Sequence, residues 1–176
     1  MLIKPVGYAD PDASKLIAAV QQEYVVRYGG RDGTPVDPAE FTPPAGLFLV
    51  GYAGGEPVAS GGWRSHGADA EIKRMYVAPA FRHRGLARQL LAELERTAAA
   101  AGHRRAILES GAQQPEAVAL YRSSGYTPIP PFGIYAAAGG AVHLGKELAQ
   151  ALPNTSPDSA TRTCLAPVVI GEVMRR

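Results

Sequence analysis

The stretch that decides the fold runs from residue 70 to residue 101 and reads AEIKRMYVAPAFRHRGLARQLLAELERTAAAA. Its first part, residues 71–77, has the composition of a β-strand. A proline and a basic turn follow, and then leucines at positions 86, 90, 91 and 94 recur at helical spacing. The sequence therefore predicts a strand, a turn and a long helix in direct succession.

The turn at residues 82–87 combines Arg82, His83 and Arg84 with a glycine where the helix begins. A helix N-terminus leaves about four N–H donors unpaired and carries the positive end of the helix dipole, and a phosphate satisfies both. Gly85 has no Cβ, so the backbone can approach a ligand closely. These residues predict a binding site for a diphosphate. A basic helix start that binds nothing is the alternative.

Composition limits the possible classes of protein. The chain has 176 residues, of which 46% are hydrophobic and 19% charged, as in a globular domain. Its net charge of only +2 gives no reason to expect a nucleic-acid partner. One cysteine, Cys164, permits no internal disulfide, and the four histidines lack ligand spacing, so no metal is expected. Without an apolar run of membrane-spanning length or a signal peptide, we expect a cytoplasmic protein that does not bind a membrane.

The remaining elements surround this stretch. We expect a strand at residues 2–8, a helix from Pro11 to about Tyr28, and antiparallel strands at 46–52, 57–64 and 71–77. The helix that follows then leads to a strand at 105–110, which a right-handed crossover makes parallel to 71–77. A helix from Pro115 to Gly125 and a hairpin of residues 126–129 and 143–148 complete the sheet. The fold class is α/β (α+β), with a mixed sheet of about six to seven strands and flanking helices.

The sequence predicts one domain at residues 1–150 and a linker-like C-terminal tail at 151–176, where proline, serine, threonine and asparagine replace the periodic pattern. Residues 31–44 form a long loop. Such loops within a domain are often functional, and a disordered connection is the equally open alternative.

Two motifs resemble the GNAT superfamily of N-acetyltransferases. The turn Arg-x-x-Gly-x-Ala at residues 82–87, directly after a strand, resembles its acetyl-CoA signature, Arg/Gln-x-x-Gly-x-Gly/Ala. Residues 117–126, Ala-Val-Ala-Leu-Tyr-Arg-Ser-Ser-Gly-Tyr, resemble its helix Ala-x-x-Leu-Tyr-x-x-x-Gly-Phe/Tyr. The family often has Asn near the head of this helix, where this chain has Gln113 and Gln114.

The resemblance implies acetyl-CoA as co-substrate, bound without a metal. Its pantetheine arm would lie along the backbone of a strand that splays from its parallel neighbour, and its diphosphate would bind the turn. The cofactor-binding residues implied are Met75, Tyr76, Val77, Arg82, His83, Arg84, Gly85, Leu86 and Ala87.

Two catalytic residues are implied in the same way. Tyr121 would protonate the departing CoA thiolate, and a core tyrosine with a bonded hydroxyl is the alternative. Glu71 would act as the base, directly or through water, and an ion pair with Lys73 or Arg74 is the alternative. Glu109 is a weaker candidate base. Strand period places Glu71 on the face of Met75 and Val77 unless a bulge intervenes.

We therefore expect an acetyl-CoA-dependent N-acetyltransferase that acts by direct attack on a small-molecule or protein amine. A catalytically inactive CoA-binding regulatory module is one rival. A nucleotide-binding protein of Rossmann or P-loop type is another, although antiparallel strands before the turn and the missing Gly-Lys-Ser/Thr speak against it. A homodimer is left open.

Overall fold

A computed structural model describes residues 1–137 and 139–149. Within them, seven strands form one sheet in the order β1-β2-β3-β4-β5-β7-β6. They are β1 (Leu2–Val6), β2 (Gly46–Ala53), β3 (Glu56–His66), β4 (Asp69–Val77), β5 (Arg105–Gly111), β6 (Thr127–Pro128) and β7 (Ala141–Glu147). The helices are α1 (Pro11–Tyr28), α2 (Leu86–Ala100) and α3 (Pro115–Ser123), with short 3-10 turns at Pro38–Phe41 and Pro79–Phe81. The tail predicted at residues 151–176 lies outside the described residues.

The predicted mixed sheet is confirmed. Strands β1 to β4 pair antiparallel in succession, β5, β7 and β6 do the same, and β4 lies parallel to β5. The parallel pair is joined only at Ala70 with Ala106 and at Glu71 with Ile107. Both strands continue beyond these positions, to Val77 and Gly111, so their carboxyl ends diverge and leave a gap in the sheet.

Helices cover both faces of the sheet. The apolar stripe of α2 (Leu90, Leu91, Leu94 and Ala98) is buried against one face, which contains Trp63 and Ile72. On the other face, Ala13, Leu16 and Val20 of α1 pack on Phe41 and Phe48. The sequence predicted α1 well because its ends are local: Asp10 accepts from the N–H of Asp12 at 2.9 Å, and Gly29 ends the helix with φ 75°. No helix in the described part of the chain is long and apolar enough to cross a membrane.

A bulge interrupts β4 just before the diverging end. Tyr76 pairs with Ser60 and Lys73 with Gly62, so Arg74 and Met75 together stand opposite Gly61. Arg74 takes φ 58°, which is unusual for a residue with a side chain. Beyond the bulge the alternation is reversed. Met75 and Val77 therefore pack on the α2 side, whereas Glu71 lies on the opposite face.

Candidate active site

The gap between β4 and β5 opens into a cleft of about 620 Å³. Residues of α1, of β4, β5 and β7, of α3 and of three loops line it, including Tyr24, Tyr28, Lys73, Arg74, Met75, Glu109, Ser110, Tyr121 and Tyr135. Beyond Glu71, the edge of β4 that faces β5 has no strand partner in the described residues. That edge can therefore hydrogen-bond an extended, peptide-like ligand.

The turn before α2 has the geometry of an anion site. Gly85 is the N-cap of α2 with φ 76°, and within the described residues no side chain caps this terminus. His83 also takes a positive φ of 59°. Leu86 and Ala87 pack against the core, which fixes the first turn of the helix. Arg84 lies over the ring of Phe81, 5.2 Å from its centroid. In the described part of the chain, the first N–H groups of α2 are therefore left without a side-chain cap, as an anion site at a helix N-terminus requires.

The side chain of Arg82 contacts other groups of the protein itself. Its Nε donates to the carbonyl oxygen of Val77 at 2.9 Å, and its guanidinium forms an ion pair with Glu23 of α1. It also lies 5.7 Å from the ring centroid of Tyr76. Arg82 thus ties the turn to β4 and α1, and a contact between Arg82 and phosphate stays a prediction.

Tyr121 lines the cleft from α3 and is only 7% exposed. Its ring packs edge-on against Tyr126, with centroids 5.7 Å apart. Burial, with a smaller contribution from Tyr24, raises the pKa of the Tyr121 phenol well above its usual value of about 10. The hydroxyl therefore stays protonated at neutral pH, which is the form that can donate a proton.

Two cationic side chains, Arg64 and Lys73, contact the carboxylate of Glu71. It is 2% exposed, accepts from Nε of Arg64 at 2.8 Å, and lies 3.1 Å from Nζ of Lys73. Burial raises its pKa, but the charge of Lys73 and the bond from Arg64 outweigh burial and lower the pKa overall. A carboxylate held in this way is a weak base, so the geometry favours the ion-pair interpretation of Glu71.

Glu109 lines the cleft, whereas Glu71 does not. It lies on β5 in the lining of the cleft, and its Oε1 accepts from Lys73 at 2.8 Å. Its Oε2 is buried and has no hydrogen-bond partner in the described residues. The sequence analysis ranked Glu109 below Glu71 as a candidate base. The parallel register of β4 and β5, which places Glu109 beside Lys73, cannot be derived from the sequence of one strand.

Sequence reasoning missed a second cluster, which comes from the long loop after α1. Asp32 forms an ion pair with Arg74, accepts from the N–H and hydroxyl of Thr34, and accepts from the hydroxyl of Tyr135. Burial raises the pKa of Asp32, yet the Thr34 bonds and the Arg74 charge lower it to about 2. These contacts place the loop in the cleft wall, which favours its functional interpretation. In the part of the chain that the structure describes, no three acidic, histidine or cysteine side chains are grouped to hold a metal.

Comparison with known proteins places this architecture in a family. The family model for the acetyltransferase (GNAT) family matches residues 17–126, more than half of the chain. The chain therefore belongs to the GNAT family of acetyltransferases, and the resemblance noted in its sequence is confirmed.

Individual relatives agree with this assignment. An IAA acetyltransferase from Azospirillum brasilense is 39% identical over 90 residues, which cover 50% of this chain and 59% of that relative. A Klebsiella pneumoniae structure described as a candidate acyl-CoA N-acyltransferase is 28% identical, with a TM-score of 0.71 over 84% of this chain and 97% of that chain. The PaiA N-acetyltransferase of Thermoplasma acidophilum, solved in complex with coenzyme A, has the same fold, with a TM-score of 0.64 at 17% identity over 84% of this chain and 99% of that chain.

Proposed function

We propose that this protein transfers the acetyl group of acetyl-CoA directly to the amine of a small molecule. The observation that carries the proposal is the cleft between the splayed ends of β4 and β5, which brings Tyr121 and Glu109 into one site. The Azospirillum relative is an IAA acetyltransferase, which supports a small acceptor over a protein.

The residues fit acetyl-CoA in two places. The unpaired edge of β4 near Met75 would hold the pantetheine arm, because its amides match those of a strand. The N–H groups at the start of α2 would hold the diphosphate, with Gly85 allowing its close approach.

The chemistry needs a base, a site for a developing oxyanion and an acid. An aliphatic ammonium has a pKa of about 10.4, so Glu109 would remove a proton from it through the free Oε2. The amine nitrogen would then attack the thioester carbonyl, and a backbone N–H of β4 near Met75 would stabilise the resulting oxyanion. When the C–S bond breaks, Tyr121 would give its proton to the sulfur, and the second proton lost by the attacking nitrogen as the amide forms would restore the phenol.

Direct transfer also agrees with the side chains near the cleft. An acyl-enzyme would need a nucleophile such as a thiol, and no cysteine is among the described residues that line the cleft. Binding both substrates together supplies much of the rate, because it makes the attack intramolecular.

Steady-state kinetics test the proposal. The protein would be screened against amines of varied size and charge, with release of free CoA thiol as the signal. We expect turnover with small amines and intersecting double-reciprocal lines. Parallel lines together with a trapped acetylated residue would contradict direct transfer. Tight CoA binding without turnover of any amine would instead favour a regulatory module.

A further inference from the structure

One tyrosine hydroxyl joins two loops that line the cleft. The hydroxyl of Tyr135, in the loop that precedes β7, accepts from the backbone N–H of Gly33 at 2.8 Å. It also donates to Oδ1 of Asp32 at 3.0 Å. Gly33 and Asp32 belong to the loop after α1, about a hundred residues away in sequence. We call this pair of hydrogen bonds the Tyr135 latch.

The direction of the hydrogen bond between Tyr135 and Asp32 is fixed, because the carboxylate of Asp32 stays charged. Asp32 is held by Arg74 and by both donors of Thr34, so its carboxylate accepts and never donates at neutral pH. The hydroxyl hydrogen of Tyr135 therefore points to Asp32, and a lone pair of the same oxygen is left for the Gly33 N–H. Arg74 lies in the bulge of β4, so its ion pair with Asp32 also connects the latch to the sheet.

The joined loops lie beside the candidate base. Asp32 and Tyr135 line the same cleft as Glu109. A methyl group placed on Gly133, two residues before Tyr135, would lie 3.6 Å from the free Oε2 of Glu109. The two joined loops and Glu109 therefore enclose one cleft, into which an acceptor amine would have to fit.

We propose that the Tyr135 latch restricts the acceptor to small amines, because a polypeptide can reach Glu109 only when the two loops separate. This inference rests on the proposed function. It assigns to Tyr135 the role of a specificity-determining residue that acts through loop position and takes no part in the proton transfers.

A matched pair of tyrosine variants tests the latch. Tyr135→Phe keeps the ring and removes both hydrogen bonds. Tyr52→Phe is the control, because the Tyr52 hydroxyl also donates to a carboxylate, Asp12, at 2.9 Å, but Tyr52 lies on β2 outside the cleft lining. For each protein, kcat/KM would be measured with a small primary amine and with a short lysine-containing peptide. Thermal melting would show that both variants fold.

We expect Tyr135→Phe to lower kcat/KM for the small amine and to raise it for the peptide. The loss of two hydrogen bonds corresponds to roughly a fivefold to 150-fold fall in the ratio of small amine to peptide. Tyr52→Phe should leave this ratio unchanged. Amide hydrogen exchange on the free protein should become faster in residues 29–37 and 129–137 together in Tyr135→Phe alone.

Other outcomes separate this inference from the proposed function. If Tyr135→Phe and the wild type have the same ratio of kcat/KM for the small amine to kcat/KM for the peptide, the inference is wrong. Acetyl transfer itself is then unaffected. A wild-type protein that acetylates the peptide as well as the small amine overturns the inference too. A wild-type protein that acetylates no amine contradicts the proposed function itself, and the acceptor limit falls with it, whatever the exchange experiment shows about the two loops.

Discussion

The ammonium of Lys73 on β4 donates to the carboxylate of Glu109 on β5 across 2.8 Å, two residues beyond the last paired position of these strands. This ion pair bridges the gap in the sheet. Lys73 also lies 3.1 Å from Glu71, so one cation is shared between two carboxylates. Glu71 has Arg64 as a second cation, whereas the second oxygen of Glu109 is left without a partner. The two glutamates are therefore suited to different roles.

Exchange of each glutamate for glutamine should separate these roles. Glu109→Gln removes the candidate base and should lower kcat by roughly 10² to 10⁴, with little effect on the Kd for CoA. Glu71→Gln removes one counter-charge, but Lys73 keeps Glu109 and Arg64 keeps Glu40 as a partner, so it should lower the free energy of unfolding by roughly 1–3 kcal/mol. Kinetics, calorimetry and urea unfolding measure these effects. Full turnover in Glu109→Gln would return the base role to Glu71 or water.

Tyr121→Phe should slow turnover without weakening CoA binding. The change keeps the ring that packs against Tyr126 and removes only the proton donor. We expect a fall in kcat within the roughly 10²–10⁴ range of acid–base catalysis. Tyr126→Phe is the matched control, because Tyr126 packs against Tyr121 but is not among the residues that line the cleft. If Tyr121→Phe turned over at the wild-type rate, water would be the proton source.

Gly85→Glu should abolish CoA binding by placing a carboxylate at the N-terminus of α2. The matched control is Gly67→Glu, because Gly67 has a similar φ of 61° against 76° and equally open surroundings, but lies in the turn between β3 and β4. Both changes impose the same backbone strain of about 1 kcal/mol. Calorimetry with CoA should show a loss of affinity in Gly85→Glu alone. Equal affinities in the two variants would mean that the turn is not the diphosphate seat.

Glu23→Gln should strengthen CoA binding. In the free protein the Glu23 carboxylate holds the guanidinium of Arg82, and it would repel a diphosphate bound at the adjacent turn. Because these groups are partly exposed, we expect a gain of only about twofold to fivefold, which shrinks as salt is added. Glu93→Gln on α2 removes a comparable partner from Arg96 and should change nothing. Weaker CoA binding in Glu23→Gln would show instead that Glu23 orients Arg82 for the ligand.

The pKa of Asp32 predicts how stability depends on pH. Its folded value of about 2 lies below the ordinary 3.8, so ionised Asp32 stabilises the fold above about pH 4, and this contribution is lost as the pH falls through about 2. Over this window the free energy of unfolding should fall more steeply in the wild type than in Asp32→Asn. Since solvent screens part of the interaction, the expected difference is about 1 to 2 kcal/mol. Urea unfolding from pH 2 to pH 7 measures it, and parallel profiles would contradict it.

Secondary-structure elements whose ends depend on residues adjacent in sequence could be predicted from the sequence. Helix α1 was expected from Pro11 to about Tyr28, and the structure has Pro11–Tyr28, because a cap, a proline and a glycine mark its ends. The closing hairpin was predicted less well. Residues 126–129 were expected in it, but β6 is only Thr127–Pro128. Ile129 still donates its N–H to the carbonyl oxygen of His143 at 3.1 Å, and the following Pro130 and Pro131 have no N–H to extend the ladder. The first strand ends at Val6 because the turn from Gly7 to Asp10 follows it.

The sequence by itself determined the strand, basic turn and helix at residues 70–101, because periodicity, glycine placement and helix-terminal chemistry are properties of adjacent residues. Only the tertiary structure decided which side chains face the cleft. One extra residue in β4 at Arg74 moves Met75 and Val77 to the face opposite Glu71, since side chains alternate with a period of two. Likewise, Lys73 meets Glu109, and Asp32 meets Tyr135, only after strands and loops far apart in sequence have packed together.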